Sequence, residues 1–154
     1  MWAQQDDREP RIVVGVDGSA PSRAALRWAV QEAGLIGATV DALIAWQYPG
    51  GFATYGWARS AAVDDLGYAE LAEKALAEAL SSAVDPASDV RVRPLVVHGN
   101  AAQALLQAAR GAKLLVVGSR GYGGFAGALL GSVSQHCVHH APCPVVVLRG
   151  EYHA

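Results

Sequence analysis

The residues whose types and spacing point most directly to chemistry lie in Gly118-Ser-Arg-Gly-Tyr-Gly-Gly-Phe-Ala-Gly-Ala-Leu-Leu-Gly-Ser-Val-Ser134. This stretch follows the apolar run Leu114-Leu-Val-Val117 and leads into a helix-like pattern. Glycine lets a backbone approach a ligand closely. A glycine-rich loop between a strand and a helix N-terminus aims several unpaired amides at one spot, which suits a phosphate. Asp17, at the end of a second β-branched run, Arg11-Ile-Val-Val-Gly-Val-Asp17, adds a carboxylate for ribose hydroxyls or a metal. Together they point to nucleotide binding.

Two familiar phosphate motifs do not account for the loop. A Gly-x4-Gly-Lys-Ser/Thr motif is absent, and with it the lysine of a P-loop. Gly121-x-Gly123-x-x-Ala126 loosely fits the dinucleotide fingerprint, but it follows the fourth strand and no acidic residue stands about 20 positions on. A nicotinamide dehydrogenase is therefore not expected.

The elements that must position these residues alternate along the chain. After the first strand, Gly18-Ser-Ala-Pro21 is turn chemistry, and Pro21 suits a first helical turn. Leu26, Ala29, Val30, Ala33 and Ile36 follow at helical spacing, and Gly37 closes the helix. Val40 to Trp46 reads as a second strand. Gln47 to Ser60, with Tyr48, Phe52, Tyr55 and Trp57, is a long loop.

A helix from about Ala62 to Ala83 presents Ala69, Ala72, Leu76, Ala79 and Ala83. Val90 to Val97 alternates as a third strand, and Pro94 places it near a sheet edge. Asn100 caps a helix whose face is Ala102, Leu105, Leu106 and Ala109. Leu114 to Val117 is apolar throughout, as a parallel strand covered on both faces must be. Val133, Cys137 and Ala141 mark a last helix stopped by Pro142, and Pro144 to Leu148 is the final strand.

The order β-α-β-α-β-α-β-α-β predicts a single α/β domain, an open parallel sheet with helices on both faces. In such sheets ligands bind beyond the strands' carboxyl ends, where strand order reverses. Asp17 and Gly118 share one crevice if the first and fourth strands are neighbours there.

Bulk properties narrow the function. The 154 residues fit one domain, expected to span 11–150 behind a loose polar tail at 1–10. An apolar fraction of 52% with 17% charged residues is ordinary for a globular core. A net charge of −2, with Lys74 and Lys113 the only lysines, gives no footprint for nucleic acid or anionic lipid. No apolar run approaches the roughly 20 residues needed to cross a bilayer. Cys137 and Cys143 make no disulfide framework, so a cytoplasmic protein is expected. His136 and His140 stand one helical turn apart, but Cys137 lies on another face and Cys-x2-Cys pairs are missing, so no metal site is assigned.

The spacing that does fit is Gly118-x2-Gly121-x9-Gly131-Ser132. With it the chain resembles the universal stress protein family, in its ATP-binding subgroup. Val13-Val-Gly-Val-Asp-Gly-Ser19, Ala45-Trp46 and His139-His-Ala-Pro-Cys-Pro-Val-Val-Val147 resemble other parts of that family's pattern, so the likeness runs from about Arg11 to Arg149.

The resemblance implies a five-stranded Rossmann-like sheet, of the adenine nucleotide alpha hydrolase-like kind, in the order 3-2-1-4-5. It implies Gly15 and Asp17 on the ribose side of a nucleotide and Ala45 offering backbone to adenine. Gly118 and Gly121 would pass ribose and phosphates, while Gly131, Ser132, Val133 and Ser134 would supply amides and hydroxyls. Ser119, Arg120, Tyr122, Gly123 and Gly124 complete the candidate set, with Arg120 either pairing a phosphate or standing as a solvated charge.

The implied function is an ATP-binding regulator of stress response, a homodimer joined through its last strand, in which other adenine nucleotides could replace ATP. No nucleophile–base pair can be named for catalysis. The alternative is a slow magnesium-dependent ATPase or phosphotransferase in which Asp17 helps hold the ion.

Overall fold

Strands β1 (Arg11–Gly15), β2 (Thr39–Trp46), β3 (Val92–His98), β4 (Leu114–Gly118) and β5 (Val145–Leu148) alternate with four helices. Among the described residues these are α1 (Ala20–Ile36), α2 (Asp65–Ala83), α3 (Ala101–Ala108) and α4 (Ser132–His140). The computed structural model describes residues 9–47, 65–120 and 130–150. The strands form one parallel sheet in the order β3-β2-β1-β4-β5, the order expected above. The tail at 1–8, the aromatic loop residues Tyr48, Phe52, Tyr55 and Trp57, and Gly121, Tyr122, Gly123 and Gly124 lie outside the described residues.

Ile12, Val13 and Val14 of the central strand β1 are fully buried, because both faces of the sheet are covered. Successive side chains point to opposite faces. Ile12 and Val14 join Leu26, Ala29, Ala33 and Leu76 in the layer under α1 and α2. Val13 joins Leu105, Ala109, Leu115 and Cys137 in the layer under α3 and α4. Each fully buried aliphatic contributes about 1.5–3 kcal/mol. Among the described residues no helix is long and apolar enough to cross a membrane.

Helix ends follow local chemistry. Ser19 caps α1 by accepting the Ser22 amide at 3.4 Å, and Asn100 caps α3 by accepting the Gln103 amide at 3.0 Å. Gly37 closes α1 with its amide on the Ala33 carbonyl. Ile36, expected on the buried face of α1, is instead 42% exposed. Ile36 is the last residue of α1, whereas Ala25, on the same side of the helix about three turns earlier, is fully buried. In α3, Ala104 is buried and Leu106 only partly so.

Both sheet edges are as anticipated: β3 at one, β5 at the other. The Val40 amide donates to the Arg91 carbonyl at 2.9 Å, so odd-numbered residues of β3 face β2. By alternation, the position at which Pro94 lacks a donor faces away from the sheet.

One buried charge was not foreseen in the apolar run of β2. Asp41 is 2% exposed and accepts two hydrogen bonds from Arg93, from Nε at 2.9 Å and Nη2 at 2.8 Å. Arg11, itself 8% exposed, lies 3.6 Å from the same carboxylate. Its guanidinium also donates to the Ala108 carbonyl at 2.6 Å and the Arg110 carbonyl at 2.5 Å. A cation at a helix C-terminus is favourable for the dipole. The triad thereby ties the end of α3 to β1 and β2.

Removing Asp41 takes the carboxylate from two guanidiniums, one of them the buried Arg11, which keeps its two carbonyl acceptors. Asp41→Ala is expected to cost about 3–5 kcal/mol in chemical denaturation. Arg93→Ala, which removes a side chain 62% exposed, should cost only about 1 kcal/mol. Burial pushes the Cys137 thiol from its ordinary 9.0 up to about 11. Since the folded state holds that proton more tightly, its contribution to stability is complete below pH 9. That contribution is lost as pH rises towards 11. Alkylation at pH 8 should accordingly spare Cys137 until the protein unfolds.

Candidate functional site

The order reverses at the seam between β1 and β4, whose outer neighbours β2 and β5 lie on opposite sides. Beyond the carboxyl ends of these strands a crevice of about 760 Å³, its open mouth included, is bounded by three segments. The first is Gly15 to Asp17 with Ser22, the second Gly118 and Arg120, and the third Gly131 to Ser134. Leu43 and Ala45 of β2, Ala101 and Leu105 of α3, and Val117 complete its walls. Asp17 and Arg120 are the charged residues among those described that line it.

The Asp17 turn is built by its own hydrogen bonds. Asp17 Oδ1 accepts the Ser19 amide at 2.9 Å and the Ser19 hydroxyl at 2.5 Å. Ser22 Oγ accepts the Asp17 amide at 3.2 Å and donates to the Ser19 carbonyl at 3.0 Å. One carboxylate oxygen is thus engaged in the turn that starts α1, and this leaves Oδ2 as the oxygen for a hydroxyl or cation.

Two glycines shape the crevice, for different reasons. A β-carbon on Gly15 would come within 3.0 Å of Leu105 Cδ1 and 3.6 Å of Val117 Cγ1, so its absence lets the Leu105 side chain of α3 pack against β1 at the floor of the crevice. A β-carbon on Gly118 would stand 2.8 Å from both the carbonyl carbon and Cβ of Pro21. Gly118 was expected to let the chain pass a ligand. Its missing side chain also lets the first turn of α1 close against β4.

The N-terminus of α4 differs from those of α1 and α3. Gly131 is its N-cap, and among the described residues no side chain caps it. The first amides of a helix lack intrahelical acceptors, so those of Ser132, Val133 and Ser134 end at the crevice. The dipole there favours an anion by roughly 0.3–1 kcal/mol in an exposed setting.

Two predicted donors are engaged within the protein. The Gly131 amide donates to the Ser119 carbonyl at 2.6 Å, and the Ser134 hydroxyl donates to the Gly118 carbonyl. Ser119, 8% exposed, does not line the crevice but ties its end together, its amide donating to the Leu148 carbonyl at 2.6 Å.

The structure therefore brings Gly15, Asp17, Ala45, Gly118, Arg120, Gly131, Ser132, Val133 and Ser134 to one crevice and sets Ser119 behind it. Sequence reasoning missed Ser22, Leu43 and Leu105 as lining residues. Leu105 carried a signal in its place on the apolar face of α3; Ser22 carried none. Rings of His136 and His140 do approach, with centroids 4.7 Å apart, yet no group of three metal-ligating side chains exists among the described residues.

Compared with known proteins, residues 10–149 match the sequence model of the Universal stress protein family. Universal stress protein Rv1996 of Mycobacterium tuberculosis is 41% identical over 140 residues, 90% of this chain and 43% of that protein. The chain thus spans less than half the length of this curated relative. Among solved structures, universal stress protein UspA from Lactobacillus plantarum superposes with a TM-score of 0.75 at 24% identity, covering 92% of this chain and 99% of that one. A universal stress protein in complex with cAMP superposes with a TM-score of 0.59 at 26% identity, covering 93% and 98%. Matched from residue 10 to residue 149, with the sheet order and crevice described above, this chain belongs to the universal stress protein family.

Proposed function

We propose that the chain binds ATP, or a closely related adenine nucleotide, in the crevice between β1 and β4 and acts as a nucleotide-dependent regulator of stress response. The functional unit is the domain spanning 11–150. The observation that carries this reading is the N-terminus of α4, without a side-chain cap on Gly131, lining one crevice with Asp17 over a floor formed by Gly15 and Leu105. The relative solved with cAMP supports an adenine nucleotide as the ligand class.

The residues divide the ligand between them. Leu43, Ala45, Leu105 and Val117 give one wall an apolar character suited to a base. Asp17 Oδ2 takes a ribose hydroxyl or a metal-bound water. The amides of Ser132, Val133 and Ser134, with the exposed Ser132 hydroxyl, take phosphate oxygens, and Arg120 adds positive charge at the same end. A bound magnesium ion would neutralise phosphate charge. Asp17 is the one carboxylate among the described lining residues to hold it. This donor set binds and orients a nucleotide without a nucleophile–base pair, so occupancy rather than turnover is the output.

The second part of the proposal is a homodimer through β5. Its four residues are all apolar and only partly buried, in contrast to the Pro94-blunted edge at β3. The Leu148 carbonyl faces β4, so by alternation the main-chain groups of Val145 and Val147 face outward.

Denaturing the purified protein should release an adenine nucleotide identifiable by mass spectrometry, and calorimetry should detect ATP binding. Gly15→Val, which pushes into Leu105, should weaken that binding at least about ten-fold, by analogy with overpacked cores. No released nucleotide, together with flat titrations of ATP, ADP and cAMP, would falsify the reading. For the dimer, sedimentation at micromolar concentration should show two copies. Val147→Pro removes an outward donor and spares the β4–β5 ladder, so it should give monomer. A monomer before the substitution removes the dimer claim.

A further inference from the structure

We propose that Ser134 is a positioning residue, one that fixes the phosphate-binding end of α4 without itself contacting phosphate. The inference rests on the nucleotide reading above and deepens it. Ser134 is the third residue of α4 and is 4% exposed. A serine hydroxyl carries a single proton, and that of Ser134 is engaged by the Gly118 carbonyl at the end of β4.

The contrast with the other helix starts gives this bond its meaning. At α1 and α3 a side-chain oxygen, from Ser19 and Asn100, turns back to accept a first-turn amide. At α4 the hydroxyl turns away, to the strand. The first-turn amides stay open, and the helix end is held from behind.

A second clamp lies one residue further along the chain leaving β4. The Ser119 carbonyl accepts the Gly131 amide, and the Ser119 amide is anchored on Leu148 of β5. Two successive carbonyls, Gly118 and Ser119, therefore grip the residues on either side of Ser132 and Val133. Gly118 is an unyielding anchor, because Pro21 leaves no space beside it. Side-chain substitution can release the Ser134 clamp but not the backbone one.

The test compares Ser134→Ala and Ser134→Thr with the unaltered protein. Its readouts are the nucleotide-free melting temperature and calorimetric affinities for ATP and for adenosine, which lacks phosphates. Ser134→Ala should lower the nucleotide-free melting temperature by several degrees, as expected for a lost buried hydrogen bond. It should weaken ATP roughly five- to ten-fold and leave adenosine within about two-fold. Ser134→Thr, which keeps the hydroxyl, should hold the ATP-to-adenosine ratio of the unaltered protein.

A lower melting temperature with an unchanged ratio makes Ser134 merely structural, and overturns the proposal. A reduced ratio with an unchanged melting temperature puts the hydroxyl on the phosphate itself, and also overturns it. Loss of the ratio in Ser134→Thr counts against it equally. Should Ser134→Ala fail to fold, Ser134→Cys, with a weaker donor of similar shape, must show the same fall in ratio. Binding of neither compound by the unaltered protein is a different result: the nucleotide reading itself then falls.

Discussion

The constraint on which the rest depends is the parting of the chain at the β1–β4 seam. β1 continues into α1 on one face of the sheet, and β4 leads towards α4 on the other. Two connections that leave neighbouring strands in opposite directions cannot fill the space between them. The gap remains only if the strands themselves stay closely joined, and Gly118 meets that condition by admitting the first turn of α1 against the end of β4. The crevice is thus a product of topology, and close packing directly beneath it keeps it rigid.

The helix ends around that gap show how one physical problem is solved in different ways. Every helix starts with amides that need acceptors. α1 and α3 satisfy some of theirs with Ser19 and Asn100. α4 does not, although serines stand at its first and third positions. Its stability is drawn from elsewhere: Cys137 packs into the sheet, Gly131 is hydrogen-bonded to Ser119 after β4, and Ser119 to Leu148 of β5. A helix secured by its surroundings can leave its own electrostatics open for an anion. The Arg11–Asp41–Arg93 cluster plays a related part at the opposite end of α3, holding in place the helix that carries Leu105 into the crevice wall.

Much of this was legible from residue types. The alternation of apolar runs with helical stripes predicted the nine elements of the described residues and, with the family resemblance, the sheet order. Pro94 predicted the edge position of β3, and Asn100 its capping role. The failures share a cause: each depended on a contact distant in sequence. Asp41 sits in an apolar run and gives no local hint that Arg93, 52 residues on, and Arg11 from β1 will meet it. Gly118 lines the crevice as its glycine-rich motif suggested, but its close approach to Pro21, almost a hundred residues earlier, had no local signal. The hydroxyl of Ser134 was assigned to phosphate on type and place alone, and only the fold shows the carbonyl it meets. Ile36 is the exception, a case of stretching a helical stripe by one residue too many.

The unequal treatment of the two sheet borders bears on how large an assembly can become. At β3 an outward-facing proline interrupts the row of donors, and Arg93 is drawn inward to Asp41. A sheet that accepted strands on both sides could add copies indefinitely and grow into fibres. With the β3 side interrupted, strand-to-strand joining is favoured as like meeting like at β5, an operation that is complete once performed. Pro94 thus disfavours open-ended growth at this border while doing nothing for the crevice.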